Sequence, residues 1–274
     1  MISIELENFN IRQIMESGQC FRMNEADTDC FTVIAGKKYV EVRQKGQVVD
    51  FDCSQEDFLF FWIPYFDLDA DYSRYIQAVN PRDRYLCAAA QHGQGIRILR
   101  QDLWEMLITF LISQQNNIRR IRRCIENICT QYGERIILPD GREYYGFPKP
   151  QALAAASEED LRECNLGYRA KYVHQAALDV ADGRIDLSGI QSMSYKKARE
   201  ALLEIYGVGG KVADCICLFA LHQLDAFPVD THIRQVLDQH YKRGFPNRRY
   251  KGMRGVMQQY IFYYELTGKP LVNK

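Results

Sequence analysis

The 274-residue chain carries no net charge, with 35 lysines and arginines against 35 aspartates and glutamates. It has no run of about eighteen apolar residues, and its first stretch holds acids instead of a basic start followed by an apolar segment. Neither a membrane-spanning helix nor a secretory leader is therefore expected. The nine cysteines (Cys20, Cys30, Cys53, Cys87, Cys124, Cys129, Cys164, Cys215 and Cys217) are odd in number and form no C-x-x-C pair or zinc spacing. That pattern predicts reduced thiols in a cytosolic compartment and no metal. Solenoid repeats and low-complexity tracts are also missing. What is present is a hydrophobic content of 47%, ordinary for a globular protein, in a chain able to bury one large core or two modest ones.

The neutral total conceals a division. Residues 1–100 hold 11 Lys+Arg against 15 Asp+Glu, and the remainder holds 24 against 20. The densest positive stretches are Arg119, Arg120, Arg122, Arg123 and Arg248, Arg249, Lys251, Arg254. Such runs are commonly just solvated faces. Beside a phosphate-binding loop they become a footprint for nucleic acid.

The texture of the chain changes once. Up to about residue 60, the alternating segments Phe31–Ala35, Lys38–Arg43 and Gln47–Phe51 are separated by Gly36 and Gly46, which predicts antiparallel strands. From about Ala70 helical periodicity dominates, with helices expected around Leu103–Ser113, Ile118–Tyr132, Lys171–Ala181, Tyr195–Ile205, Lys211–Leu221, Thr231–Gln239 and Gly255–Tyr264. The expected fold class is α+β. An N-terminal antiparallel β-sheet unit with helices fills residues 1–100, and a mainly α-helical domain fills 101–274.

Within the helical part, Leu203–Asp230 reads LEIYGVGGKVADCICLFALHQLDAFPVD. Gly207–Gly210 joins an amphipathic run ending near Ile205 to another starting near Lys211. The backbone N–H groups of Gly207, Val208 and Gly209 would then lie at a helix N-terminus, where they can hold a phosphate oxygen. The positive end of the same helix, together with burial, would favour a neutral, nucleophilic amine on Lys211. A plain glycine turn with a solvated lysine has the same local pattern, so the independent observation is Asp230, nineteen positions downstream in the segment Phe227-Pro228-Val229-Asp230-Thr231-His232. Asp230 also reads as an N-cap whose carboxylate accepts the Ile233 N–H. A phosphate clamp beside a reactive amine and a carboxylate points to chemistry on DNA.

That combination resembles the helix-hairpin-helix DNA glycosylase superfamily, in which a hairpin, a lysine and a later PVD aspartate form the catalytic core. Further segments are similar to the 8-oxoguanine DNA glycosylases in particular. They are Ser17-Gly18-Gln19-Cys20-Phe21-Arg22, Ser113-Gln114-Gln115-Asn116-Asn117-Ile118-Arg119-Arg120-Ile121, Tyr145-Gly146-Phe147-Pro148, Leu166-Gly167-Tyr168-Arg169-Ala170-Lys171-Tyr172-Val173, and Gly209–Cys217 with its VADCI run. Met23 stands where the family usually has tryptophan, and Gln115 where it usually has asparagine.

The resemblance implies a helix-hairpin-helix glycosylase core with Lys211 as nucleophile and Asp230 as its partner. It assigns the base pocket to Gly18, Cys215, Gln258 and Phe262. Guanine has an acceptor at N7 whereas 8-oxoguanine carries a hydrogen there, so the carbonyl assigned to Gly18 would attract the oxidised base and repel the normal one. Cys215 and Phe262 would sandwich the base and Gln258 would read its Watson–Crick edge. Gln115, Arg120, Tyr168 and Arg169 would face the opposite base and wedge the emptied stack, and His232 would contact a phosphate. The implied activity is excision of 8-oxoguanine followed by strand cleavage through a Schiff base. The expected partner is double-stranded DNA containing 8-oxoguanine, met by a monomer that needs no cofactor and touches no membrane. The expected location is cytoplasmic and nucleoid-associated in a prokaryote, or nuclear in a eukaryote. Two other readings stay open. One is an oxidised-pyrimidine glycosylase of the endonuclease III type, whose usual iron–sulfur loop has no counterpart here because no cysteine follows Cys217. The other is a non-catalytic helix-hairpin-helix DNA-binding module.

Overall fold

The computed structural model describes residues 1–268. Five antiparallel strands, β1 (Ile2–Glu5), β2 (Met23–Asp27), β3 (Cys30–Ala35), β4 (Lys38–Lys45) and β5 (Val48–Asp52), form one sheet in the order β1-β5-β4-β3-β2. The turns predicted at Gly36 and Gly46 have φ of +57° and +62°, a region glycine enters without the steric cost of a Cβ. In register, Val33 faces Val40 and Val42 faces Phe51. These side chains are buried with Ile11, Ile14, Trp62 and Phe66, which gives the sheet its own core.

The strands β1 and β2 were not anticipated. β1 is a short edge strand, and β2, reading MNEAD, exposes four of its five residues and so shows no apolar alternation. Its acids at the sheet edge discourage pairing with another chain. A second ribbon, β6 (Arg135–Ile137) and β7 (Glu143–Tyr145), covers the other face. There Arg142 pairs with Glu41, Tyr144 donates its hydroxyl to Lys37 O at 2.8 Å, and Phe147 N donates to Gly36 O at 3.1 Å.

The remainder is helical, as expected. The helices that matter for the site are α1 (Ile11–Glu16), α2 (Arg84–His92), α3 (Leu103–Ser113), α4 (Ile118–Tyr132), α5 (Ala170–Ala181), α6 (Tyr195–Leu203), α7 (Gly210–Phe219), α8 (Thr231–His240) and α9 (Arg254–Tyr263). Asp102 and Asn117 cap α3 and α4 through bonds to Glu105 N (2.8 Å) and Arg120 N (3.0 Å), which is why both helices start where the pattern places them. α3 is buried from Leu103 to Ile112 and is the axis around which the other helices pack. Its one buried acid, Glu105, lies 3.9 Å from buried Arg22 and accepts from Gly36 N at 3.1 Å, so it ties α3 to the sheet. Burial pushes the Glu105 carboxyl up, and Arg22 pulls it back. The helical core begins before residue 101: Tyr72, Tyr75, Leu86, Ala89 and Ile98 pack within it, while Leu99 belongs to the core of the sheet.

Candidate active site

A hairpin followed by a helix positions the lysine. Gly207 has φ of +88°, and a Cβ there would fall 2.6 Å from the ring of Tyr172, so both conformation and space demand glycine. Gly209 is the N-cap of α7, which places Gly210 and Lys211 in its first turn with amides unpaired within the helix. Val208 departs from the expectation. Its N–H turns back to Ile205 O at 2.9 Å and its side chain is buried, so the donors left for an anion come from the residues around it. Gln114 holds the hairpin from behind, donating Nε2 to Gly207 O at 3.0 Å. Asp214 of α7 accepts from Tyr195 (2.7 Å) and Arg199 (2.7 Å) of α6, which locks the two hairpin helices together.

A cavity of about 640 Å³ opens in front of this hairpin. Its wall includes Gly18, Gln115, Gly209, Lys211, Asp230 and His232, which come from four separate stretches of sequence. The Lys211 amine sits 5.3 Å from the centre of the Phe110 ring. It also contacts the thiol of Cys215 one turn along α7, and Asp230 adds a repulsive field at that thiol, so the three groups share one small volume. Burial pushes the Cys215 thiol up despite the nearby amine, so this cysteine presents a protonated, apolar surface. Asp230 caps α8 as predicted, accepting from Ile233 N at 2.8 Å, and one carboxylate thereby serves both helix and cavity.

Gly18, at φ of +73°, is held on the wall by its neighbour. The buried Gln19 donates to Arg97 O at 2.9 Å and accepts from Leu99 N at 2.9 Å, while its own carbonyl takes Gln101 Nε2 at 2.8 Å. Sequence reasoning missed Gln19, and also Phe21, Phe110, Thr231 and Arg234 on the cavity wall. A buried glutamine inside a polar motif was the available signal; Phe110 is lost in the apolar run of α3.

Cys215, Gln258 and Phe262 do not form the wall of the open cavity. A Cβ on Gly18 would stand 2.9 Å from Phe262, so this ring fills the space between Gly18 and the helices. Gln258 is buried behind it, donating to Pro228 O at 3.1 Å and accepting from Gln259 at 3.1 Å. In this state the Phe262 ring thus packs on Gly18 beside the open cavity. His232 is exposed, 6.4 Å and edge-on from the Phe262 ring.

On the other side, Tyr168 is 45% exposed, and its hydroxyl lies 3.4 Å from both Gln114 O and Gln115 Oε1. Arg120 is exposed and reaches Asn165 O at 3.4 Å. Arg169, expected to face the opposite base, is held inside the protein in this state. It is 3% exposed, and its guanidinium donates to the carbonyls of Gln114 and Gln115, the latter at 2.7 Å. In this state it clamps the loop that carries Gln115 and braces the Tyr168 ring at 4.5 Å. Among the described residues no His/Cys/Asp/Glu group could hold a metal, and no helix is long and apolar enough to cross a membrane.

Comparison with known proteins gives two family matches. Residues 1–107 match the 8-oxoguanine DNA glycosylase N-terminal domain, and residues 108–251 match the HhH-GPD superfamily of base excision DNA repair proteins. An N-glycosylase/DNA lyase of Saccharomyces cerevisiae is 34% identical over 268 residues, covering 88% of this chain and 70% of that protein. A Clostridium acetobutylicum 8-oxoguanine glycosylase/lyase, solved with double-stranded DNA containing cytosine opposite 8-oxoguanine, superposes with a TM-score of 0.90 at 36% identity. That superposition covers 96% of this chain and 93% of the other. The protein MBOgg1, solved with a low-affinity DNA ligand, gives 0.92 at 37% identity over 97% and 96%.

Proposed function

Because the chain belongs to the HhH-GPD superfamily of base excision DNA repair proteins and carries an 8-oxoguanine DNA glycosylase N-terminal domain, we infer that it excises 8-oxoguanine from duplex DNA and then cleaves the strand as a lyase. The observation that carries this reading is the shared cavity in which Lys211, Asp230 and Gly18 meet in front of the glycine hairpin. The hairpin amides hold a phosphate, and the damaged nucleotide leaves the stack at a cost of a few kcal/mol and enters as Phe262 yields. Lys211 attacks C1′ of the sugar and the N-glycosidic bond breaks, with the electron pair leaving on the base, which takes up a proton. Asp230 receives the lysine proton and stabilises positive charge developing on the sugar. The C1′–O4′ bond then opens, with O4′ taking up a proton, to give the Schiff base, which loses a C2′ proton so that β-elimination breaks the 3′ C–O bond. No step requires a cofactor. A monomer suffices for a reaction on one nucleotide, and the match of residues 1–107 to the 8-oxoguanine DNA glycosylase N-terminal domain favours this reading over the endonuclease III type.

Borohydride reduction of the Schiff base tests the reading. Wild-type protein with a duplex carrying 8-oxoguanine opposite cytosine is expected to give a covalent adduct, and Lys211→Gln to give none while still binding the duplex. An adduct formed equally well by Lys211→Gln would remove Lys211 as nucleophile. No adduct on any damaged duplex would leave only the DNA-binding module.

A further inference from the structure

The hairpin is flanked by an aromatic strip that the proposed chemistry does not use. Tyr172 lies against Gly207, its ring 5.2 Å from that of Tyr206 and 6.1 Å from that of Tyr168. Tyr206 immediately precedes the hairpin and is 51% exposed, an unusual state for so large a ring with nothing to cover it. Lys171 projects over the same pair, its amine 5.0 Å from the Tyr172 ring and 6.0 Å from that of Tyr206. Among the described residues, Lys171 pairs with no carboxylate, and the hydroxyls of Tyr172 and Tyr206 have no hydrogen-bond partner. A cation held in place by two rings, with its donors unpaired, matches an anionic partner. The strip is continuous with the phosphate-holding hairpin at one end and the exposed Tyr168 at the other.

We propose that Lys171 and Tyr206 form a second backbone-binding position for duplex DNA. Lys171 takes the phosphate adjoining the one held at Gly207–Gly210, and the Tyr206 ring packs on the sugar between them. The strand is thereby fixed between the hairpin and the step that Tyr168 enters. This deepens the proposed function and rests on the hairpin being a phosphate clamp.

The test is binding of an undamaged duplex followed by fluorescence anisotropy across a salt series. Lys171→Ala is expected to weaken binding about 5–10-fold near 0.1 M salt and to lower the slope of log affinity against log salt by about 1, the signature of one lost phosphate contact. Lys171→Arg should restore the slope. Tyr206→Ala should weaken binding several-fold without changing the slope, whereas Tyr206→Phe keeps the ring and the affinity. A wild-type slope in Lys171→Ala would overturn the proposal, as would an equal loss of slope in Lys45→Ala on the sheet unit. Because the readout involves no excision, it is separable from the borohydride experiment. An absent adduct beside a Lys171-dependent slope would remove the enzyme and leave this contact standing.

Discussion

Gln115 holds a left-handed backbone, φ +46°, in a loop whose carbonyls are gripped by Arg169. Asparagine tolerates that region better than glutamine because its shorter side chain can bond locally to the backbone. Gln115→Asn is therefore expected to raise stability by a few tenths of a kcal/mol. It should also sharpen the preference for cytosine opposite the lesion several-fold, since a shorter amide on a less strained loop samples fewer positions. Thermal melting and single-turnover excision opposite each of the four bases check both parts. An unchanged ratio would mean that Gln115 does not face the opposite base. Arg169 marks the limit of reasoning from motifs at this scale. Its position in the chain suggested a reader of bases, but the Gln114 and Gln115 carbonyls it grips lie more than fifty positions away, and no local pattern announces them.

At the scale of elements, the hairpin is the most constrained piece of the site. Gly207→Ala would meet the Tyr172 ring and force a side chain into a positive φ, so it should cost about 2 kcal/mol or more. It should also weaken DNA binding beyond what unfolding explains. Urea titration followed by anisotropy at a denaturant-free, fully folded temperature distinguishes the two effects, and a fully stable variant would show that Tyr172 can move aside. Such elements were legible because their information is local. Gly36 and Gly46 punctuate the strands, and Gly209 and Asp230 cap the two helices that carry the chemistry. The acidic strand Met23–Asp27 and the bridge made by Gln19 were not legible, since the first lacks alternation and the second depends on an irregular segment some eighty residues away.

For the whole molecule, the joint between sheet unit and helical core is polar. Arg97 donates to the carbonyls of Glu7 (3.0 Å), Asn8 (3.2 Å), Asp67 (2.7 Å) and Ala70 (3.0 Å). The buried Asp67 carboxylate accepts from Arg100 (2.8 Å) and Tyr72 (3.1 Å) and lies 3.2 Å from His222, just beyond the lysine helix. Burial alone would push the Asp67 carboxyl up, but His222 and Arg100 outweigh it and hold the group at about 2. Its folded value is below the ordinary one, so its contribution, about 2 kcal/mol, is complete above roughly pH 4 and is lost as pH falls toward 2. Asp67→Asn should lower stability by about that amount at neutral pH and flatten the acid limb. Denaturant midpoints at neutral pH, pH near 4 and pH near 3 would show it, and an unaltered acid limb would place the sensitivity elsewhere.

The contact of Phe262 with Gly18 bears on how such a protein spends its time on a genome. A slot occupied by its own side chain offers an undamaged base nothing to settle into, so each failed inspection ends with the ring falling back and the duplex restacking. A ring that had to leave before a base could enter would act as a timer: residence at normal sites would be short, and only a base that held the slot open through its own bonds would stay long enough for the amine to react.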